Sequence, residues 1–149
     1  MSMLSLGDTP FSSGRAEYED ALPQNPGRAS IYVRVTVEGM EQPFLALLDT
    51  GAEYSVLARE IAEEVGLDAA DGQDTALSYR GGIARGRLVR TNVRVLADEG
   101  DDLVVDATVF IPDEHWPTGR NFIGYTGFLE RIRVGLDPQN NDIYFGGYE

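Results

Sequence analysis

The 149-residue sequence contains no cysteine, no lysine and a single histidine, His115. The absence of cysteine removes thiolate catalysis and disulfide frameworks, and one histidine cannot supply a zinc site that needs several Cys or His ligands within one chain. No metal and no cofactor is implied. A Ser-His triad would have to use His115, but "PDEHWPTG" is a proline-flanked stretch with no nucleophile-elbow sequence to serve, so His115 reads as a surface loop residue. Long apolar runs are missing as well. None approaches the roughly 20 residues of a membrane span, and the N-terminus has neither a basic start nor an apolar signal region. A soluble, cytoplasmic protein is expected. Positive charge is scarce: 12 arginines face 25 acidic residues, a formal net charge of -13. Such a chain repels phosphate backbones and anionic lipid surfaces, which argues against nucleic-acid and membrane partners.

What is present fits one domain. Hydrophobic residues at 42% and charged residues at 25% are close to the globular average, and the length suffices for a core without disulfides. Residues 1–28 are rich in Gly, Pro and Ser and lack a sustained apolar period, so they read as a flexible N-terminal arm, with the folded domain over 29–149. "SIYVRVTVEG" alternates Ile31, Val33, Val35 and Val37 with polar neighbours, and "EGMEQ" can turn it into the apolar run "PFLALLD", a hairpin ending at Asp49. "SVLAREIAEEVGL" spaces Leu57, Ile61 and Val65 by four, with Ser55 as expected N-cap and Gly66 as stop, a short amphipathic helix. "ARGRLVRTNVRVLA" and "LVVDATVFIP" make a second hairpin around the acidic turn "DEGDD". Its Asp98, Glu99, Asp101 and Asp102 lack the spacing of a calcium loop and read as a solvated turn. "NFIGYTGFLERIRVGLDPQNNDIYFGG" gives a strand ending at Gly124, a helical turn and two further strands. The fold class is mainly β with one or two short helices.

Asp49 poses the chemical question. A carboxylate at the end of a buried strand must be hydrogen-bonded, paired or protonated. Thr50 offers a hydroxyl, Gly51 lets the backbone approach closely, and Ala52 keeps the neighbourhood small. The segment "LLDTGAEYSVL" resembles the active-site stretch of the retropepsin-like aspartic proteases, bacterial members included. "GGIARGRLV" (81–89) resembles that family's glycine-rich flap, and "NFIGYTGFLERIRVGLD" its closing apolar-apolar-Gly strand, short helix and final strand. The matches come in the family's order and span most of residues 30–146.

The resemblance implies a closed β-barrel or sandwich of the acid protease fold and an aspartic endopeptidase active as a homodimer. In such an enzyme two carboxylates share a proton and together activate a water. This chain holds one "DTG", since "DTP" at Asp8 substitutes a proline, so each chain of a two-fold dimer would give one Asp49. The resemblance assigns Asp49, Thr50 and Gly51 to catalysis, with Thr50 bracing the turn across the axis. It assigns Ala52, Gly81, Gly82 and Ile83 to binding an extended peptide or protein substrate. Arg80, Arg85, Arg87, Arg90 and Arg94 around the hairpin are either a solvated strand face or a positive patch for acidic substrates or the partner's acidic body. A non-catalytic peptide-binding or dimerisation module on the same fold is the alternative function.

Overall fold

The computed structural model of the protein describes residues 3–21, 30–116 and 120–148. In chain order its strands are β1 (Ser5–Leu6), β2 (Thr9–Pro10), β3 (Gly14–Glu17), β4 (Tyr32–Val37), β5 (Phe44–Leu48), β6 (Ser55–Val56), β7 (Gln73–Tyr79) and β8 (Gly82–Val95). They continue with β9 (Glu99–Gly100), β10 (Leu103–Pro112), β11 (Phe122–Ile123), β12 (Ile132–Asp137) and β13 (Asp142–Gly147), and one helix, α1, covers Arg59–Val65. Single 3-10 turns occupy Leu67–Ala69 and Leu129–Arg131. Among the described residues no helix is long and apolar enough to cross a membrane.

Strands β10, β6, β11, β5, β4 and β8 lie side by side in that order, and the pairing of β8 with β10 closes them into a barrel. Closure removes the free edges that so many short strands would otherwise expose. The period-two pattern of the sequence sets which face turns inward. Val33, Val35 and Val37 of β4, Val89, Val93 and Val95 of β8, and Val105, Ala107, Val109 and Ile111 of β10 share one buried core. Phe110, on the opposite face of β10, joins Val56, Leu77 and Trp116 in a second cluster. That cluster underlies β7, which pairs with the outer half of β8 and projects beyond the barrel.

A four-stranded sheet, β12-β13-β3-β9, covers the barrel. Here the structure departs from the sequence reading of residues 1–28 as an arm. β1 and β2 form a small hairpin, and β3 pairs with β13 from Asp142↔Glu17 to Phe145↔Gly14. Ala16 and Tyr18 are buried in the main core. Arg15 fixes the register: its guanidinium lies 2.5 Å from Asp142 and 3.2 Å from Glu99, tying β3 to both neighbours. Four residues with two buried positions carry too little period to be seen locally, and their order comes from partners far along the chain. Residues 1–2 and 22–28 of the expected arm lie outside the described residues.

The helix is also shorter than its apolar spacing suggested. α1 starts after Ala58, and Ser55 is not its cap: Ser55 and Val56 pair in parallel with Val109 and Phe110 of β10. The predicted stop holds, with Gly66 at φ 80° donating its amide back to the carbonyls of Ala62 and Glu63. The acidic turn contains β9, which pairs with β3.

Candidate active site

β5 and β6 are the two arms of the Asp49 loop, and β11 runs between them. It is parallel to β5, with Ile123 opposite Leu48, and antiparallel to β6, with Phe122 opposite Val56. The turn is therefore braced from behind. Asp49 donates its amide to the Ile123 carbonyl at 2.9 Å, and its own carbonyl accepts the Ala52 amide at 3.1 Å. Beyond β11 the chain folds against the far arm, where the Tyr125 amide donates to Ala52 at 2.9 Å and the Thr126 amide to Glu53 at 2.8 Å. The buried Ser55 hydroxyl accepts the Gly124 amide at 2.9 Å. Gly124 is required here: a Cβ at this position would stand 2.4 Å from the Tyr54 carbonyl carbon and oxygen.

This bracing presents one carboxylate. Asp49 Oδ1 accepts the Gly51 amide at 2.9 Å; Oδ2 makes no hydrogen bond among the described residues. Asp49 is half-buried, while Thr50 and Gly51 are exposed, so the turn opens to solvent. The Thr50 hydroxyl has no partner among the described residues. A Cβ on Gly51 would sit 3.3 Å from Asp49 Oδ1, so glycine leaves that oxygen clear. Ala52 is half-buried at the end of the turn. Tyr54, next along, has its phenol pushed above the ordinary range, by burial first and then by the neighbouring Glu53 carboxylate. Among the described residues no group of three or more His, Cys, Asp or Glu side chains is placed to hold a metal ion.

The β7–β8 hairpin turns at Arg80 and Gly81, with Tyr79 opposite Gly82. Gly82 has φ 139°, a backbone open mainly to glycine, and Ile83 is 72% exposed. A Cβ on Gly81 would meet the Tyr79 ring at 2.6 Å. That ring stacks edge-on against Trp116 at 5.5 Å between centroids, and Trp116 does the same to Phe122 at 5.6 Å. An aromatic chain thus runs from the hairpin tip to the strand behind Asp49.

The family model described as aspartyl protease matches residues 33–108. That segment runs from Val33 in β4 through the Asp49 turn and the whole hairpin to Thr108 in β10. The chain belongs to the aspartyl protease family. Among solved structures, a retropepsin-like aspartic protease from Rickettsia conorii is similar over 89% of this chain and 98% of that one, with a TM-score of 0.57 and 16% sequence identity. At that identity the likeness is one of fold, and the fold is retropepsin-like. A search of curated proteins finds no match.

For a member of this family, the expected site residues fall into two groups in the structure. Asp49, Thr50, Gly51 and Ala52 form one tight turn, and Gly81, Gly82 and Ile83 form the hairpin tip. Trp116 and Tyr79 link the two groups through Phe122, and sequence reasoning missed both. The only signal was that the sole tryptophan of the chain stands beside the sole histidine between prolines. The arginines split. Arg90 pairs with Asp106, Arg94 lies 3.7 Å from Asp102, and Arg87 donates to the Ala70 and Asp68 carbonyls. Arg80 and Arg85 have no side-chain partner among the described residues. His115 is 62% exposed on its side chain, as expected of a surface loop, but it is tied to α1: Nδ1 contacts the Glu60 carboxylate and Nε2 lies 4.0 Å from Glu63. The hydrogen bond with Glu60 raises the His115 pKa above its ordinary value and lowers that of Glu60.

Proposed function

We propose that the protein is an aspartic endopeptidase whose active form is a homodimer, each chain giving one Asp49 to a shared dyad. The observation that carries this is the Asp49 turn itself: one oxygen is held by the Gly51 amide at 2.9 Å, the other has no partner among the described residues, and the loop behind it is held by β11. Such a carboxylate is half of a catalytic pair. Two of them close together cannot both ionise, so one proton is shared. The ionised Asp49 takes a proton from a water, whose oxygen attacks the scissile carbonyl carbon. The protonated Asp49 hydrogen-bonds the carbonyl oxygen and gives up its proton as the tetrahedral diol forms. Collapse of the diol transfers a proton to the amide nitrogen, breaks the C–N bond and releases amine and carboxylic acid.

Thr50, exposed and without a partner among the described residues, is suited to bond the matching turn across a two-fold axis. Gly81, Gly82 and Ile83 at the exposed hairpin tip act as the flap over an extended peptide that pairs its backbone with strand edges. The test is digestion of a denatured protein substrate between pH 4 and 7, with and without pepstatin, beside Asp49→Asn. Cleavage abolished by both supports the reading. Cleavage that persists in Asp49→Asn comes from a contaminant, and no cleavage by a sample shown to be dimeric leaves the fold as a peptide-binding module. The sequence pI of about 4.3 calls for a solubility check at the acid end.

A further inference from the structure

Tyr125 stands beside the Asp49 turn with 53% of its surface exposed. Its backbone is fixed on both sides: the amide donates to the Ala52 carbonyl at 2.9 Å, and the carbonyl accepts the Glu130 amide at 3.1 Å. Before it Gly124 is buried, and after it the Thr126 amide is bonded to Glu53. A braced segment thus holds an aromatic side chain out in solvent. Among the described residues, the other large apolar side chains left exposed lie elsewhere. Leu4, Leu6, Leu136 and Tyr148 lie in or beside the covering sheet and the hairpin before it, Val104 is on β10, and Ile83 is at the tip of the β7–β8 hairpin. The surface next to the carboxylate is otherwise small or polar, made of Thr50, Gly51 and Glu53, all exposed.

We propose that Tyr125 is the anchor of the two-fold interface, its ring packed against a second copy of this chain beside the paired Asp49 turns. The inference rests on the homodimer argued above and names the contact that holds it. Two carboxylates that share a proton lie about 3 Å apart, so the axis passes close to each turn. Ala52 is closed onto Asp49 by its 3.1 Å hydrogen bond, within the roughly 7 Å span of a β-turn. Tyr125 lies one backbone hydrogen bond further, about 5 Å. An interface of ordinary size covers about 800 Å2 on each partner, a patch reaching roughly 16 Å from its centre. The steps from the axis to Tyr125, laid end to end, come to about that radius, and the turn doubles back on itself, so Tyr125 falls inside. The groups nearest the axis are weak glue. A hydrogen bond between two Thr50 hydroxyls replaces bonds to water, and Glu53 brings a second carboxylate of each copy toward the seam in a chain already at -13. Tyrosine suits such a seam, since it buries a large apolar face with little loss of rotamer freedom while its hydroxyl keeps a polar partner.

The test separates the anchor from the chemistry. Sedimentation velocity of the full chain at a series of concentrations gives the dimer Kd for wild type, Tyr125→Ala, Tyr125→Phe and Leu6→Ser, the last an exposed leucine of the N-terminal hairpin. Two anchors meet in each dimer, so Tyr125→Ala is expected to weaken association about thirtyfold or more, while Tyr125→Phe and Leu6→Ser stay within about threefold of wild type. Cleavage lost by dilute Tyr125→Ala should return when the protein is concentrated, which loss of a catalytic group would not allow. Nitration with tetranitromethane, read by mass spectrometry of the digested chain, needs no variant and decides even where Tyr125→Ala fails to fold. In wild type, Tyr125 should react in dilute samples and be protected in concentrated ones, while Tyr148, 60% exposed, reacts alike in both. A Tyr125→Ala Kd within about threefold of wild type, or equal nitration of Tyr125 in monomer and dimer, overturns the anchor. An equal loss in Leu6→Ser overturns it too, by seating the interface on the N-terminal hairpin. A dimer that cleaves but leaves Tyr125 open sinks the anchor and spares the protease reading. A dimer that depends on Tyr125 but cleaves nothing does the reverse, and a chain that is monomeric at every concentration overturns both.

Discussion

Gly124→Ala tests whether the Asp49 turn is held from behind as described. The new methyl would lie 2.4 Å from the carbonyl carbon and oxygen of Tyr54 and 2.8 Å from the Ser55 amide nitrogen, all backbone atoms with no side chain to swing aside. Comfortable carbon contacts begin near 3.5 Å, so the two segments must separate by about 1 Å. Three hydrogen bonds span that seam, at 2.9 Å to Ser55 Oγ, 2.9 Å to Ala52 and 2.8 Å to Glu53. A shift of about 1 Å takes two of them beyond bonding range, and that loss at about 1 kcal/mol each adds to about 1–3 kcal/mol of overpacking. The sum is about 3–5 kcal/mol, a large part of the stability of an ordinary domain. Urea unfolding followed by Trp116 fluorescence should show the midpoint lowered by about 1.5–2.5 M, taking a slope near 2 kcal/mol per M. Gly51→Ala is the control. Its Cβ would be 3.3 Å from a single carboxylate oxygen, so its midpoint should move by less than about 0.3 M while cleavage falls. A Gly124→Ala midpoint indistinguishable from wild type would refute the bracing argument.

Ser55→Ala removes the acceptor for the buried Gly124 amide and should cost about 1–3 kcal/mol, read from the same unfolding curves; a cost below that places the amide on another acceptor. Arg15→Met leaves Asp142, whose side chain is 10% exposed, as an unpaired buried carboxylate, and a loss of about 3 kcal/mol is expected. Adding Asp142→Asn should recover part of it, and no recovery would mean the pair is not the source. For His115 the sign follows from the two shifts. Its raised pKa makes the Glu60 contact fully stabilising below the ordinary histidine pKa, near 6.5, and the gain is lost as pH rises through the raised value. The depressed Glu60 keeps its part above the ordinary glutamate value and loses it only in stronger acid. His115→Gln should therefore melt below wild type between about pH 5 and 6.5 and converge with it in alkali; a difference that does not vary with pH contradicts the pair.

The barrel was legible because its long strands carry their own signal. β4, β8 and β10 alternate apolar and polar residues over six or more positions, and that period gives the face that turns into the main core. The Asp49 turn was legible for a different reason, a tripeptide whose residue types suit a presented carboxylate, set between apolar runs. What stayed hidden is what distant partners decide. β3 is "GRAE", four residues whose strand conformation is fixed by β13 and by an ion pair 127 positions apart in sequence. Ser55 is a natural cap residue just ahead of the following helix, and only the parallel partner on β10 makes it and Val56 a strand. Trp116 has no periodic neighbour at all. Its role depends on Tyr79 and Phe122, which the closed barrel brings together from three segments.

The covering sheet constrains how two Asp49 turns can meet in the proposed dimer. β13 has β12 on one side and β3 on the other, so the terminal strands of one chain already satisfy each other. A partner strand entering beside β13 would have to break the four β3 pairs and separate Arg15 from Asp142. In the proposed dimer, backbone pairing between copies would fall to strand edges among the described residues such as β12, β9 and β7, and the turns themselves would meet through Thr50. A dimer assembled on preformed chains in this way should dissociate into folded monomers. Sedimentation over a range of dilutions should find a reversible monomer–dimer equilibrium, with cleavage per chain falling as the dimer is lost and a folded monomer that still melts cooperatively at dilutions where no dimer is left. A dimer that comes apart only on unfolding, with a melting temperature rising steeply with protein concentration, would instead mean that the terminal strands exchange between chains and that the intrachain sheet is not the state in solution.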